Sequence, residues 1–328
     1  MTASPSGPTI TLIITSYRQL AFLRQALASA TGQTCQFHQI IVVEDGSGDE
    51  TIPYLRAWAN QHDNAEVVFH PENLGLSTAR NTGLARVKGD YVAFLDGDDL
   101  LRPDACEKMH ALLAEKTPDM VLFNMDYVQT DGDGVAPAKP RKRMFSKSQA
   151  DDTGFPRHMA PPSSDLVSRM FWFHPTAWQK LQRAEFLRDI GVQFSGPIYE
   201  DIAWHFETIF RARSVSYMTD KLVQYRLHDK SALSTPADRH MHIFDQYDRV
   251  SQFIEDSGTT DRDILDAYRR FRFVHLSFVG ARSGRVPEPL RRGYAERVLA
   301  LPTLTAFEMS DDENELLSEV QALTTQHG

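Results

Sequence analysis

Three carboxylates, Asp96, Asp98 and Asp99, fall within four residues at the end of the apolar run YVAFL, positions 91–95. A strand that buries this run delivers the acids to its carboxyl end, where open α/β sheets bind ligands. Carboxylates this close repel one another unless a cation compensates. Hard divalent ions take oxygen ligands and bridge to phosphates, so the pattern points to a metal-bound diphosphate, with Mn²⁺ or Mg²⁺ as the cofactor. A second acidic pair, Glu200 and Asp201, opens a helical pattern over 198–213. Acids in a first helical turn are favourable for dipole reasons alone.

These residues need a scaffold, and the chain spells one out. Short apolar runs at 10–14 (ITLII), 39–43 (QIIVV), 66–70 (EVVFH) and 91–95 alternate with helical patterns at 20–30, 51–61 and 77–87. Strands alternating with helices of this length predict an α/β fold with a mostly parallel central sheet and helices on both faces. A helix at 102–115 and a strand at 119–127 follow; a loop is expected over 130–165, then helical patterns at 177–188 and 198–213. Two short strand-like runs, SVSYM and LVQYR, lie in 214–226. Beyond about residue 235 the patterns are all helical, which divides the chain into 1–235, with the acidic clusters, and a helical C-terminal region, 236–328.

Composition narrows the function. The chain has 328 residues, net charge −9 and 41% hydrophobic residues. The acidic balance argues against nucleic acid as a partner. No apolar run approaches the roughly 18 residues of a membrane-spanning helix. The opening MTASPSGPT lacks the pattern of a secretion signal. Two cysteines are too few for a disulfide framework or a zinc cage and suit a reducing cytoplasm. Arg269, Arg270, Arg272, Arg282, Arg285, Arg291 and Arg292, mixed with Phe271, Phe273 and Phe278, offer two readings: a basic, partly apolar face for peripheral membrane contact or an acidic glycan, or a solvated face over a packed core.

Four segments in order, ITLIITSY, IIVVEDGSGDET, NLGLSTARNTGLARVKGDYVAFLDGDD, and YEDIAWHF followed by LVQYRLHDKSALST, resemble family 2 of the inverting nucleotide-sugar glycosyltransferases, which have the GT-A fold. Glu44 stands where many members carry an aspartate. The resemblance implies a UDP-sugar donor and a glycan or lipid-linked acceptor, with a role in bacterial surface polysaccharide synthesis. It assigns Asp45 to the imide N–H of uracil, Thr15 and Tyr17 to the base, Arg80 and Asn73 to the nucleotide, and Asp96 to the ribose side. Asp98 becomes the metal ligand, with His228 as a third contact to metal or diphosphate, and Asp201 the general base beside Glu200. Arg226 and Ser231 are candidate phosphate contacts, and Trp178 and Lys180 candidate acceptor contacts. Plainer readings stand beside these: Asp45 as a turn aspartate, Tyr17 and Trp178 as packing residues, Arg80 paired with a nearby acid, Asp99 capping the next helix. Two rival classes are a metal-dependent nucleotidyltransferase, for which TSYRQL is a poor triphosphate loop, and a non-catalytic scaffold of the same fold.

Overall fold

The computed structural model describes residues 7–132, 134–139, 155–228, 233, 235–301 and 308–325. The elements run β1 (Ile10–Ser16), α1 (Leu20–Thr31), β2 (Gln39–Glu44), α2 (Thr51–Ala59), β3 (Ala65–Phe69), α3 (Leu76–Leu84), β4 (Tyr91–Asp96), β5 (Leu100–Leu101), α4 (Ala105–Glu115), β6 (Met120–Asp131) and β7 (Gly134–Pro137). They continue through β8 (His158–Met159), α5 (Ser164–Met170), β9 (Lys180–Arg183), α6 (Ala184–Ile190), α7 (Glu200–Arg211), β10 (Val215–Arg226), a 3₁₀ turn (Asp238–His242), α8 (Ile243–Asp256) and α9 (Arg262–Ser277). A π-helical turn (Phe278–Arg282), α10 (Glu288–Leu299) and α11 (Asp311–Thr325) complete them.

One sheet organises the molecule, in the order β3-β2-β1-β4-β9-β6-β10-β5, with β7 on β6 and β8 on β10. Strands β3, β2, β1 and β4 are mutually parallel. Every residue of β1 and β2 is buried, which is why those strands read as unbroken apolar runs rather than alternating ones. The chain moves outward through β1, β2 and β3, then returns past β1 to lay down β4. Right-handed crossovers therefore place α3 on the face opposite α1 and α2. The same reversal opens a crevice between the carboxyl ends of β1 and β4, where open sheets bind ligands. Register levels those ends: Thr15 pairs with both Val43 and Asp96, and Ser16 with Glu44.

Three expectations need correction. Residues 177–188 are not one helix, because β9 occupies 180–183, antiparallel between β4 and β6. Its polar letters concealed it: Lys180 and Gln182 are fully buried, and Gln182 is satisfied by the Trp204 indole N–H at 3.1 Å. The two runs in 214–226 form one strand, β10, broken in register around Lys221; a bulge interrupts alternation in this way. The stretch 130–165 is not all loop, since β6 extends into it and turns back through β7, and β8 pairs with β10; residues 140–154 lie outside the described residues.

The buried core does not stop near residue 235. A single cluster of buried side chains joins the sheet to Ile243, Tyr247, Phe271, Tyr294 and Leu316. Phe271 and Phe273 are fully buried in it and Phe278 nearly so. The arginines beside them face acids: Arg270 pairs with Glu313 at 2.7 Å, Arg282 with Glu319 at 2.8 Å, Arg272 with Asp248 at 3.0 Å, Arg292 with Glu296 at 3.0 Å. The rings of this stretch are thus core, while several of its arginines are engaged by acids at the surface, as the reading of a solvated face over a packed core has it. No helix among the described residues is long and apolar enough to cross a membrane.

Candidate active site

The loop after β2 shapes one wall of the crevice. Asp45 is buried, and its carboxylate accepts the backbone N–H groups of Leu74 and Gly75, each at 2.9 Å, with the His70 ring Nδ1 at 2.7 Å. The turn-forming reading of Asp45 is therefore realised, and three of its roughly four acceptor directions are used. Asn73 does similar work, accepting the Gly75 N–H at 3.1 Å. Gly46 makes this possible: its φ is +70°, and a Cβ there would lie 2.2 Å from the carbonyl carbon of Glu72. Gly46→Ala is expected to cost about 3 kcal/mol from left-handed strain and backbone collision together. Urea unfolding checks this; an unchanged midpoint would show that the loop moves aside freely.

At the end of β1, Thr15 is buried and its carbonyl accepts the Gly97 N–H at 2.9 Å, tying the two strand ends together. Tyr17 is one of two large exposed hydrophobic side chains among the described residues, the other being Leu74, and the Arg18 guanidinium lies 5.3 Å from its ring centroid. A ring left exposed beside the crevice is free to stack on a planar ligand.

The acidic cluster does as the spacing predicts. Carboxylate oxygens of Asp96, Asp98 and Asp99 all lie within 4.8 Å of one another. Asp99 is fully buried; its Oδ1 accepts the Arg226 N–H at 2.8 Å, and its Oδ2 has no partner among the described residues. It does not cap α4, whose N-cap position is Asp104. Burial, with Asp98 and Asp96 nearby, pushes the Asp99 carboxyl well up. Burial also raises Asp96, against the pull of Arg80. An orphaned, buried carboxylate oxygen within a triad of acids suits a divalent cation, which supplies the missing partner and charge. His228 reaches this cluster, with Nε2 2.9 Å from Asp98 Oδ2.

Arg226 reaches the cluster as well. Its guanidinium donates to the Asp98 carbonyl at 2.7 Å, to Thr130 Oγ1 at 3.1 Å and to Gln25 Oε1 at 2.6 Å. The Phe22 ring lies 4.8 Å from both that guanidinium and the His228 ring. Phe22 and Gln25, on α1, were not anticipated: Phe22 reads as one more apolar residue of an amphipathic helix. Ser231 falls outside the described residues.

Arg80 takes the plainer of its two readings, pairing with nearby acids. It is buried rather than turned to a nucleotide, and its guanidinium bridges three acids: Asp96 at 2.8 Å, Glu200 at 2.6 Å and Asp201. Burial opposes its charge, but Asp201, Asp96 and Glu200 outweigh that and hold its pKa above the ordinary range. Asp201 thus stands one guanidinium away from Asp96, with its other oxygen accepting the Ala177 N–H at 3.3 Å.

Burial and the adjacent Asp201 push the Glu200 carboxyl up to about 8. Folding thereby raises this group from its ordinary 4.5, so the native state holds a proton that the unfolded chain releases. Stability contributed by this proton is complete at low pH and falls as pH rises from about 5 to 8. Glu200→Gln, neutral throughout, is expected to flatten that part of the curve. Melting temperatures of both proteins across this range check it, and parallel curves would contradict it.

Lys180 is not a surface charge. It is fully buried at the start of β9 and donates to the Thr176 carbonyl, and burial lowers it to about 7 against the opposing effect of Asp201. Trp178 is no exposed sugar platform; it is buried and stacks on Tyr225, centroids 5.3 Å apart. The structure therefore brings Thr15, Tyr17, Asp45, Asn73, Asp96, Asp98, His228, Glu200 and Asp201 to one sheet edge, and turns Arg80, Arg226, Trp178 and Lys180 inward to support it.

A mostly parallel sheet with an acidic cluster at its topological switch point defines the class, a GT-A-type α/β protein. The family model described as "Glycosyl transferase family 2" matches residues 11–172. Glycosyltransferase GlyG of Streptococcus pneumoniae serotype 4 is 32% identical over 277 residues, covering 81% of this chain and 86% of that protein. EpsH of Bacillus subtilis (strain 168) is 30% identical over 227 residues; the match covers 67% of this chain and spans 61% of EpsH's own length. The crystal structure of S. aureus TarS 1–349 in complex with UDP-GlcNAc superposes with a TM-score of 0.58 at 18% identity, covering 96% of this chain and 92% of that one. The chain belongs to glycosyltransferase family 2 and has the GT-A fold.

Proposed function

We propose that this protein is an inverting glycosyltransferase that moves a sugar from a UDP-sugar to a hydroxyl of a glycan or lipid-linked acceptor in bacterial surface polysaccharide synthesis. One observation carries the reading: the Arg80 guanidinium holds Asp96, of the acidic cluster, and Asp201 on either side of it. Leaving-group and nucleophile chemistry are thereby adjacent, yet assigned to different carboxylates. TarS, bound to UDP-GlcNAc in the structure of that protein, supports the donor class.

Asp98 and His228 would hold Mn²⁺ or Mg²⁺, which when bound offsets the charge that develops on the departing diphosphate. The chain's own residues do the rest. Tyr17 stacks on the base, and Asp45 offers its remaining acceptor direction to the base's N–H. Asp201 takes the proton of the acceptor hydroxyl as that oxygen attacks the anomeric carbon. The new C–O bond forms as the bond to UDP breaks, and the electron pair leaves with the β-phosphate. A single displacement from the opposite face inverts the anomeric centre. The buried Lys180 and the protonated Glu200 tune the charge around Asp201.

The reading is tested by incubating the full chain with a panel of nucleotide-sugars, Mn²⁺ and glycan acceptors, and following products by mass spectrometry and anomeric NMR. A product whose anomeric configuration is inverted relative to a UDP-linked donor is expected. A retained configuration would overturn the single displacement, and UDP binding with no transfer to any acceptor would favour the scaffold reading.

A further inference from the structure

A second cluster of ligating side chains lies apart from the sheet edge. Cys35 precedes β2, while Cys106 and His110 stand four apart on α4 and so share a face of that helix. One ligand atom from each, two Sγ and a ring nitrogen, all lie within 4.8 Å of one another, with the sulfurs 2.8 Å apart. The sequence alone hid this trio, because its first member is 71 residues from its second.

The trio is held in place by its surroundings. Gln33 accepts the Cys106 N–H at 2.9 Å and donates to the Arg102 carbonyl at 2.8 Å. Thr34 donates its N–H to Pro103 O at 2.9 Å and its hydroxyl to Glu107 at 2.8 Å. Residues 33–35 are thus docked on the start of α4 independently of any sulfur chemistry. The His110 Nε2 is buried and has no hydrogen-bond partner among the described residues, a deficit that buried polar atoms rarely carry unexplained. Cys35 is partly exposed, which leaves a path for an ion to enter.

We propose that Cys35, Cys106 and His110 form a structural site for a thiophilic divalent ion of the zinc type, with solvent as the fourth ligand. Two S–H bonds ionise, two protons pass to solvent, two metal–sulfur bonds and one metal–nitrogen bond form, and nothing is oxidised or reduced. Zinc–sulfur bonds of about 2.3 Å in a tetrahedral site require the sulfurs to separate by about 1 Å. The ion would pin the segment before β2 to α4, the helix that follows the acidic cluster.

The test uses the full chain, reduced with a phosphine and stripped by a chelator, without UDP or Mn²⁺. Cobalt titration is expected to give a near-ultraviolet sulfur-to-cobalt charge-transfer band that saturates at one equivalent and disappears when zinc is added. Cys106→Ser should abolish the band, His110→Ala should weaken binding about tenfold or more, and Asp98→Asn should leave it intact. Should Cys106→Ser fail to fold by circular dichroism, Cys35→Ser, at the more exposed position, takes its place. No band in the reduced protein, a band unchanged by His110→Ala, or conversion of both thiols to a disulfide without cobalt uptake would overturn the site.

Discussion

Asp201→Asn is expected to lower the transfer rate by about 10²–10⁴-fold, the contribution usual for a positioned acid–base group. The amide keeps the shape and can still accept from the Ala177 N–H, but it cannot take the acceptor's proton. Its affinity for UDP should remain close to that of the unmodified protein, because Asp201 lies across Arg80 from the acidic cluster rather than in it. Transfer assays beside UDP titration separate the two effects. Unchanged transfer would remove Asp201 from its role, and equal loss of binding and transfer would reassign it to the donor site.

Arg80→Met carries the second large effect, this time on stability. Removing the guanidinium strands Asp96, Glu200 and Asp201 around a cavity without their shared cation. Breaking a buried charge network on one side typically costs about 3–5 kcal/mol, which for a chain of this size lowers the melting temperature by on the order of 10 °C. Arg80→Lys restores the charge but not the planar fork, so it should recover part of the stability and little of the activity. Calorimetry decides: a loss below about 1 kcal/mol in Arg80→Met would mean that Asp96 and Asp201 discharge by taking up protons instead.

The parts that were legible in the sequence are those whose burial or spacing is local. Strands β1, β2 and β4 announced themselves because full burial demands apolar residues in sequence. Asp96, Asp98 and Asp99 were legible because a strand end fixes where they go. The pairing of His228 with Asp98 followed from the resemblance, not from the residues, since 130 positions separate them. What the chain concealed is tertiary. Arg80 reads as facing either a ligand or a nearby acid, and nothing local says that α7 will bring Glu200 and Asp201 against it from 120 positions away. Residues 177–188 read as a helix because nothing local says that β4, β6 and α7 will enclose Lys180 and Gln182. Trp178 stayed open between acceptor contact and packing because its partner Tyr225 lies on a strand far along the chain. The acids that engage the C-terminal arginines lie on α8 and α11, and nothing in the local sequence pairs them.

Isothermal titration of UDP into the protein, with and without Mn²⁺, and the same pair of titrations for Asp98→Asn, addresses the central claim most directly. Mn²⁺ should tighten UDP binding about tenfold or more in the unmodified protein and leave Asp98→Asn unaffected. Equal UDP affinity in all four titrations would contradict the assignment of the Asp96–Asp98–Asp99 edge to a cation-bound diphosphate.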